Sequence, residues 1–175
     1  MKNMTDKQLD QLLTIINLYP STRIMHFSDD TPALNRKIAQ LCRENSYEFE
    51  LYYDSDKLLQ SSIDTFATNP LVTNKKINLK QPRYAIQAKL YDYFFVTMPI
   101  EDTLKENFLK KSHAIIKNAG IIIIFVPKIE NKKDDKNIYL WMQLLEENYF
   151  VASNTIDIFD HYDLVVSKKM HGWGG

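Results

Sequence analysis

The chain has 175 residues, of which 45% are hydrophobic and 25% charged, the size and composition of one globular domain. Basic and acidic residues each number 22, so the formal net charge is zero and general nucleic-acid binding is not expected. The one cysteine, Cys42, excludes an intrachain disulfide and a cysteine-rich metal site, and it suits a cytoplasmic location. No apolar run is long enough to span a membrane, and residues 1–18 lack the core of a signal peptide.

Helical spacing, capping residues and β-branched runs predict alternating helices and strands. In chain order they are an amphipathic helix within residues 1–20, a strand at 23–27, a helix from 31, a strand at 47–53, a helix from 55, a weak strand at 83–88, a strand at 91–97, a helix from 101, a strand at 121–126, a helix at 137–147, and strands at 149–159 and 162–167.

Several local patterns support the first half of this assignment. Thr5 and Gln8 match a capping box at the start of the leading helix. Thr31 and Pro32 are typical of the N-cap and first position of the next helix. Residues 47–53 alternate apolar and acidic side chains, which predicts a strand with one poorly covered face.

Other patterns define the second half. Residues 68–81 are polar and contain several lysines, so we interpret them as an insertion or surface loop. Residues 118–120, Asn-Ala-Gly, are expected to end a helix. The unbroken β-branched run at 121–126 indicates a strand buried on both faces. A tight turn at Asp160 and His161 joins the last two strands.

This order predicts an α/β fold: a Rossmann-like, doubly wound, mostly parallel seven-strand sheet that closes with an antiparallel hairpin. The alternation of strand and helix requires right-handed crossovers between parallel strands. We divide the chain into a leading amphipathic helix (1–20), the α/β domain (21–168) and a C-terminal tail (169–175).

Over roughly residues 21–167 this order resembles that of the class I S-adenosylmethionine-dependent methyltransferases. Asp54 follows the second strand, where the family has an acid that binds the cofactor ribose. Tyr91 and Asp92 resemble the start of the family's fourth strand, and residues 109–126 resemble its helix, turn and fifth strand. The resemblance implies a methyltransferase-like domain and makes S-adenosylmethionine a possible cofactor.

The loop after the first strand departs from the family pattern. A gapless overlay puts His26 at the family's acid, and Ser28, Asp30 and Pro32 at its three glycine positions. Glycine is used there because the backbone turns tightly and approaches the ligand. Side chains would fill that space, and Asp30 would add a negative charge near the carboxylate of the family's ligand.

Five residues are therefore candidates for cofactor binding, and no catalytic or metal-binding residue is assigned. They are Ser28, Asp30, Asp54, Thr97 and Met98. Asp54 is alternatively a helix N-cap together with Ser55, which is a common use of such residues, and residues 28–30 either bind a cation or amine or form a solvated turn. Thr97 and Met98 follow the fourth strand, where the family often has substrate-positioning residues, but its Asn/Asp-Pro-Pro-Tyr motif is absent.

Two functional hypotheses follow. The first is a methyltransferase-like domain with a degenerate cofactor loop that acts in binding or assembly. The alternative is an active, divergent S-adenosylmethionine-dependent methyltransferase of unknown substrate; a binder of another nucleotide or metabolite is a weaker option. A homo-oligomer or a protein partner would contact the leading helix or the tail that contains His171 and Trp173, which is otherwise a frayed terminus. No membrane association is expected.

Overall fold

The computed structural model describes residues 3–84, 88–129 and 135–170, and in these parts five helices and seven strands follow one another along the chain. The helices are α1 (Asp6–Leu13), α2 (Pro32–Asn45), α3 (Asp56–Thr65), α4 (Asp102–His113) and α5 (Lys136–Glu147). The strands are β1 (Arg23–Phe27), β2 (Glu48–Tyr53), β3 (Val72–Lys76), β4 (Tyr91–Val96), β5 (Ile116–Pro127), β6 (Phe150–Ile156) and β7 (Tyr162–Lys169). None of the described helices has the length and apolar character needed to cross a membrane.

The seven strands form one sheet in the order β3-β2-β1-β4-β5-β7-β6. Strands β1 to β5 are parallel, and β7 is antiparallel to both β5 and β6. This topology confirms the predicted doubly wound sheet with a closing antiparallel hairpin. The chain proceeds outward from β1 to β3 and then returns to place β4 beside β1, so the topological switch point lies between β1 and β4.

Helices cover both faces of the sheet because successive residues of the central strands point to opposite sides. Ile24 of β1 packs in a core with α1, α2 and α3, whereas Phe27 packs in a second core with α4 and α5. The predicted capping box of α1 is present, and Leu9 and Leu12 of its apolar stripe are completely buried. The stripe of α1 therefore packs inside the chain's own core.

The third strand lies elsewhere than the sequence predicted. Residues 72–76, which we interpreted as part of a loop, form β3 and pair with β2. Arg83, Tyr84 and Ala88 are not in a strand, and the rest of the predicted strand at 83–88 lies outside the described residues. A polar, lysine-containing segment can be a strand here because β3 is at the edge of the sheet, where solvent reaches its side chains.

The Asn-Ala-Gly segment does not end a helix. Helix α4 already ends at His113, and residues 118–120 lie within β5, where the pairing with β4 shifts register. Ala119 has a φ of 65°, and a Cβ on Gly120 would lie 2.5 Å from Ile116 Cγ2 and 2.8 Å from the Lys117 carbonyl oxygen. The glycine is thus required by a bulge in a strand, not by a helix C-terminus.

The expectation of a poorly covered face on β2 was also wrong. Glu50 is only 5% exposed, and its Oε2 accepts hydrogen bonds from the hydroxyls of Tyr52 and Tyr91. The ammonium group of Lys75 lies 3.6 Å from Glu50 Oε1. An acidic side chain in an alternating strand is therefore buried because one phenol of its own strand, one phenol of β4 and an ammonium group of β3 meet it.

Candidate functional site

The candidate site is the switch-point crevice, by which we mean the space between the loop at residues 28–31 and residues 97–98. In open α/β sheets, ligands bind where the chain segments diverge at such a point. Here the two segments do not diverge, because the main-chain N–H groups of Thr97 and Met98 both donate to the carbonyl oxygen of Phe27, at 3.0 and 3.1 Å. The carboxyl ends of β1 and β4 therefore stay hydrogen-bonded to each other.

The hydroxyl group of Thr97 connects the two sides of the crevice. Its Oγ1 lies 2.8 Å from Nε2 of His26, accepts the main-chain N–H of Asp29 at 3.1 Å, and lies 3.4 Å from Oγ1 of Thr31. Thr97 is 4% exposed, so these bonds lie in the interior. Thr31 occupies the N-cap position of α2 as predicted, but its hydroxyl makes no capping bond and faces this network instead.

The side chain of Asn35 of α2 also belongs to this network. Its Nδ2 donates to Oγ of Ser28 at 3.0 Å and to the hydroxyl of Tyr53 at 3.1 Å, and its Oδ1 lies 2.6 Å from Nδ1 of His26. Ser28 is completely buried. At a position where the family has glycine, this chain therefore has a serine whose side chain is fixed by a buried amide.

Burial lowers the pKa of His26 from 6.5 to about 3, and the hydrogen bond with Asn35 opposes this only partly. The imidazole is therefore neutral near pH 7. Because Nδ2 of Asn35 is the donor to its other partners, Oδ1 must accept, which assigns the proton to Nδ1 of His26. Nε2 then accepts from the hydroxyl of Thr97.

The hydroxyl of Thr97, the imidazole of His26 and the amide of Asn35 are thus arranged in the order of a nucleophile, a general base and an orienting group. A substrate would have to reach Oγ1 of Thr97, yet His26 is 0% exposed and Thr97 only 4%. Neither residue lines the clefts found among the described residues. In this structure the arrangement is a buried hydrogen-bond network.

The acidic candidates Asp30 and Asp54 are not among the hydrogen-bonded members of this network, although Thr31, Asn35 and Tyr53 line the same cleft as Asp30. Asp30 is exposed and lines a cleft between α2 and α3 whose volume is about 40 Å³. Ligand sites usually measure roughly 300–1,000 Å³, so this cleft is too small for a nucleoside. Asp54 is exposed, and the N-cap of α3 is Ser55, whose Oγ accepts the N–H of Leu58 at 3.3 Å.

Met98 faces a different, larger cleft between the N-terminal halves of α4 and α5, with a volume of about 260 Å³. Trp141 and Lys105 line the same cleft. The ammonium group of Lys105 lies 2.5 Å from Oδ1 of Asp102 and 5.0 Å from the ring centre of Trp141, so its charge is already partnered. Within the described ranges, no three His, Cys, Asp or Glu side chains meet in a group that could hold a metal ion.

The sequence analysis missed two members of the network, Asn35 and Tyr53. For Asn35 a signal was available, since it lies on the same face of α2 as Leu34 and Ile38, the face that the apolar spacing predicts to be buried. A buried asparagine needs hydrogen-bond partners. No comparable signal was available for Tyr53, because tyrosine is common in buried strands.

Neither a protein-family model nor a curated protein matches this sequence. Solved structures match its fold. A SAM-dependent O-methyltransferase from Thermotoga maritima gives a TM-score of 0.74 at 13% identity, over 98% of this chain and 68% of that one. A SAM-dependent methyltransferase from Aquifex aeolicus gives 0.69 at 11% identity, over 91% of this chain and 88% of that one.

Human N-acetylserotonin methyltransferase, solved in complex with SAM, gives a TM-score of 0.68 at 12% identity and covers 93% of this chain. The chain spans about half the length of that enzyme, of two carbon methyltransferases and of the CMeT domain of the citrinin polyketide synthase, all of which it matches. The fold is therefore that of the class I S-adenosylmethionine-dependent methyltransferases, as the order of elements predicted.

Proposed function

We propose that this chain is a methyltransferase-fold domain that does not bind S-adenosylmethionine at the switch-point crevice and that acts in binding or assembly. One observation carries the proposal: the hydroxyl of Thr97 bridges the crevice to His26 and to the main chain of Asp29. A ligand in the usual place would have to break these buried hydrogen bonds and leave their partners unpaired.

The side chains around the crevice support the same conclusion. Ser28 fills a glycine position and is held by Asn35. Asp29 and Asp30 put two carboxyl groups on the loop that would face the carboxylate of the cofactor, which is an unfavourable pairing. The neighbouring cleft of about 40 Å³ offers no room for the adenosine moiety.

The alternative is an active, divergent methyltransferase, and one observation favours it. Because Ser55 caps α3, the exposed carboxylate of Asp54 has no capping role and is available to ribose hydroxyls at the carboxyl end of β2. S-adenosylmethionine would then bind only after the switch-point crevice has opened. The exposure of Asp54 gives no reason for the switch-point crevice to open, so we rank this function second.

Calorimetric titration with S-adenosylmethionine and S-adenosylhomocysteine tests the proposal, and a thermal-unfolding measurement with the same two ligands gives a second readout. A ligand present at 100 times its dissociation constant would add about 2.7 kcal/mol of stability, and hence raise the melting temperature by roughly 5–10 °C. We expect neither heat of binding nor such a shift at millimolar ligand. Saturable binding of either compound would refute a non-binding role and support the alternative.

Two variants show whether Asp54 contributes to any binding that the titration detects. Asp54→Ala should abolish it if the alternative is right, whereas Asp56→Ala, which changes another exposed acid at the start of α3, should not. Equal loss in both variants would indicate an unspecific effect on α3. Equal binding in both would remove Asp54 from the site.

The assembly part of the proposal is tested by light scattering of the intact chain. The apolar stripe of α1 is buried in its own core, so a partner of this helix would meet its exposed face. The tail with His171 and Trp173 lies outside the described residues. We expect Trp173→Ala to lower the molar mass if the tail anchors a second copy, and a monomer in both forms would count against self-assembly.

A further inference from the structure

One charged group in the closed crevice has an unpaired atom. Oδ1 of Asp29 is buried and has no hydrogen-bond partner among the described residues. The main chain of the same residue is well bonded, since its N–H donates to Thr97 and its carbonyl oxygen accepts from Ser28 Oγ at 2.8 Å and from Thr31 N at 3.0 Å. The backbone of the loop therefore holds a carboxylate oxygen in an environment that does not solvate it.

No cation compensates this carboxylate. The described salt bridges include no partner for Asp29. Burial raises the pKa of Asp29, the nearby hydroxyl of Thr97, the residue's own main chain and the hydroxyl of Thr31 oppose this rise, and the neighbouring carboxylate of Asp30 adds to it. Burial raises the pKa values of Tyr53 and Tyr162, and the charge of Asp29 makes a smaller contribution to each rise. The nearby imidazole of His26 is neutral.

We propose that Asp29 makes the closure of the switch-point crevice sensitive to charge, so that the ionised carboxylate favours opening and a neutral side chain favours closure. The inference concerns the same crevice as the proposed function and rests on its closed state. Opening would hydrate the carboxylate, whereas closure keeps Oδ1 away from water without a donor. The hydrogen bond that the main-chain N–H of Asp29 donates to Oγ1 of Thr97 holds the loop against this tendency.

Amide hydrogen exchange at Thr97 and Met98 measures the opening, since both N–H groups bond to Phe27 across the switch point. The test compares wild type with Asp29→Asn, which is nearly isosteric and carries no charge. The matched control is Asp30→Asn, which removes the charge of an exposed neighbour. Rates are corrected for intrinsic exchange and followed from pH 4 to pH 7.

The readout is the ratio of the opening constant of wild type to that of Asp29→Asn. This ratio should be close to one where Asp29 is protonated and should rise clearly above one near neutral pH, where the carboxylate is ionised. The buried histidines give the opposite trend, because acid favours their opening, and they cancel in the ratio. Asp30→Asn should stay much closer to the wild type than Asp29→Asn does, because the exposed carboxylate of Asp30 is the smallest contribution to the shifted pKa of Asp29.

A ratio that stays near one or below it at neutral pH overturns the proposal. If Asp29→Asn does not fold, Asp29→Ala supplies the same neutral comparison. The titration with S-adenosylmethionine is a separate measurement. Binding together with a rising ratio refutes the proposed function alone, whereas absent binding together with a flat ratio refutes the role of Asp29 alone.

Discussion

The free energy of unfolding as a function of pH tests most directly whether the imidazole of His26 is neutral in the folded chain. The imidazole is completely buried, and burial lowers its pKa from 6.5 to about 3. The unfolded chain therefore binds a proton between pH 6.5 and pH 3 that the folded chain does not bind. Stability is fully present above pH 6.5 and decreases as the pH falls, by about 1.4 kcal/mol per pH unit and by about 5 kcal/mol in total.

The perturbation is His26→Gln, which removes the titrating group and keeps a side chain able to donate and accept. The free energy of unfolding would be measured by urea denaturation at pH 7, 6, 5 and 4. Between pH 7 and pH 5 the wild type should lose about 2 kcal/mol more than the variant. His113, whose pKa is also lowered by burial and by the ammonium of Lys169, contributes equally to both proteins.

The variant His161→Gln, at an exposed histidine, is the control and should keep the wild-type slope. The reasoning would be refuted if wild type and His26→Gln lost stability in parallel on acidification. Such a result would mean that the imidazole is already protonated in the folded chain. The direction that we assign to the bond between Nε2 of His26 and the hydroxyl of Thr97 would then be wrong, because an imidazolium donates from both of its nitrogens.

Three further predictions concern the core. Asn35→Ala leaves several buried polar groups unpaired and should lower the free energy of unfolding by about 2–4 kcal/mol, whereas Gln40→Ala on the exposed face of α2 should change it by about 0.5 kcal/mol or less, both measured in urea. Leu12→Ala should cost about 2–5 kcal/mol because its side chain is completely buried, and Leu18→Ala, at a residue 59% exposed, should cost little; equal losses would contradict the packing of α1. Burial raises the pKa of the Cys42 thiol to about 12, so a thiol reagent should label it only as fast as the chain unfolds, and rapid labelling of native protein would show that α2 is not packed as described.

Local patterns were sufficient for most of the elements. The capping box at Thr5, the proline at the start of α2 and the β-branched run of β5 each predict a helix or strand from a few neighbouring residues, and the structure confirms them. Local patterns failed for β3, whose polar residues are tolerated because the strand is at the edge of the sheet. Edge position is a property of the sheet order and not of the segment.

The sequence by itself determined the order of helices and strands, and through it the methyltransferase-like sheet, because periodicity and chain connectivity are local or nearly local. It also showed that the glycine positions after β1 carry side chains. Only the tertiary structure decided what those side chains do. The hydrogen bonds among His26, Asn35 and Thr97 join residues up to 71 positions apart, and their partners are fixed by strand order and helix packing, which no sequence spacing specifies.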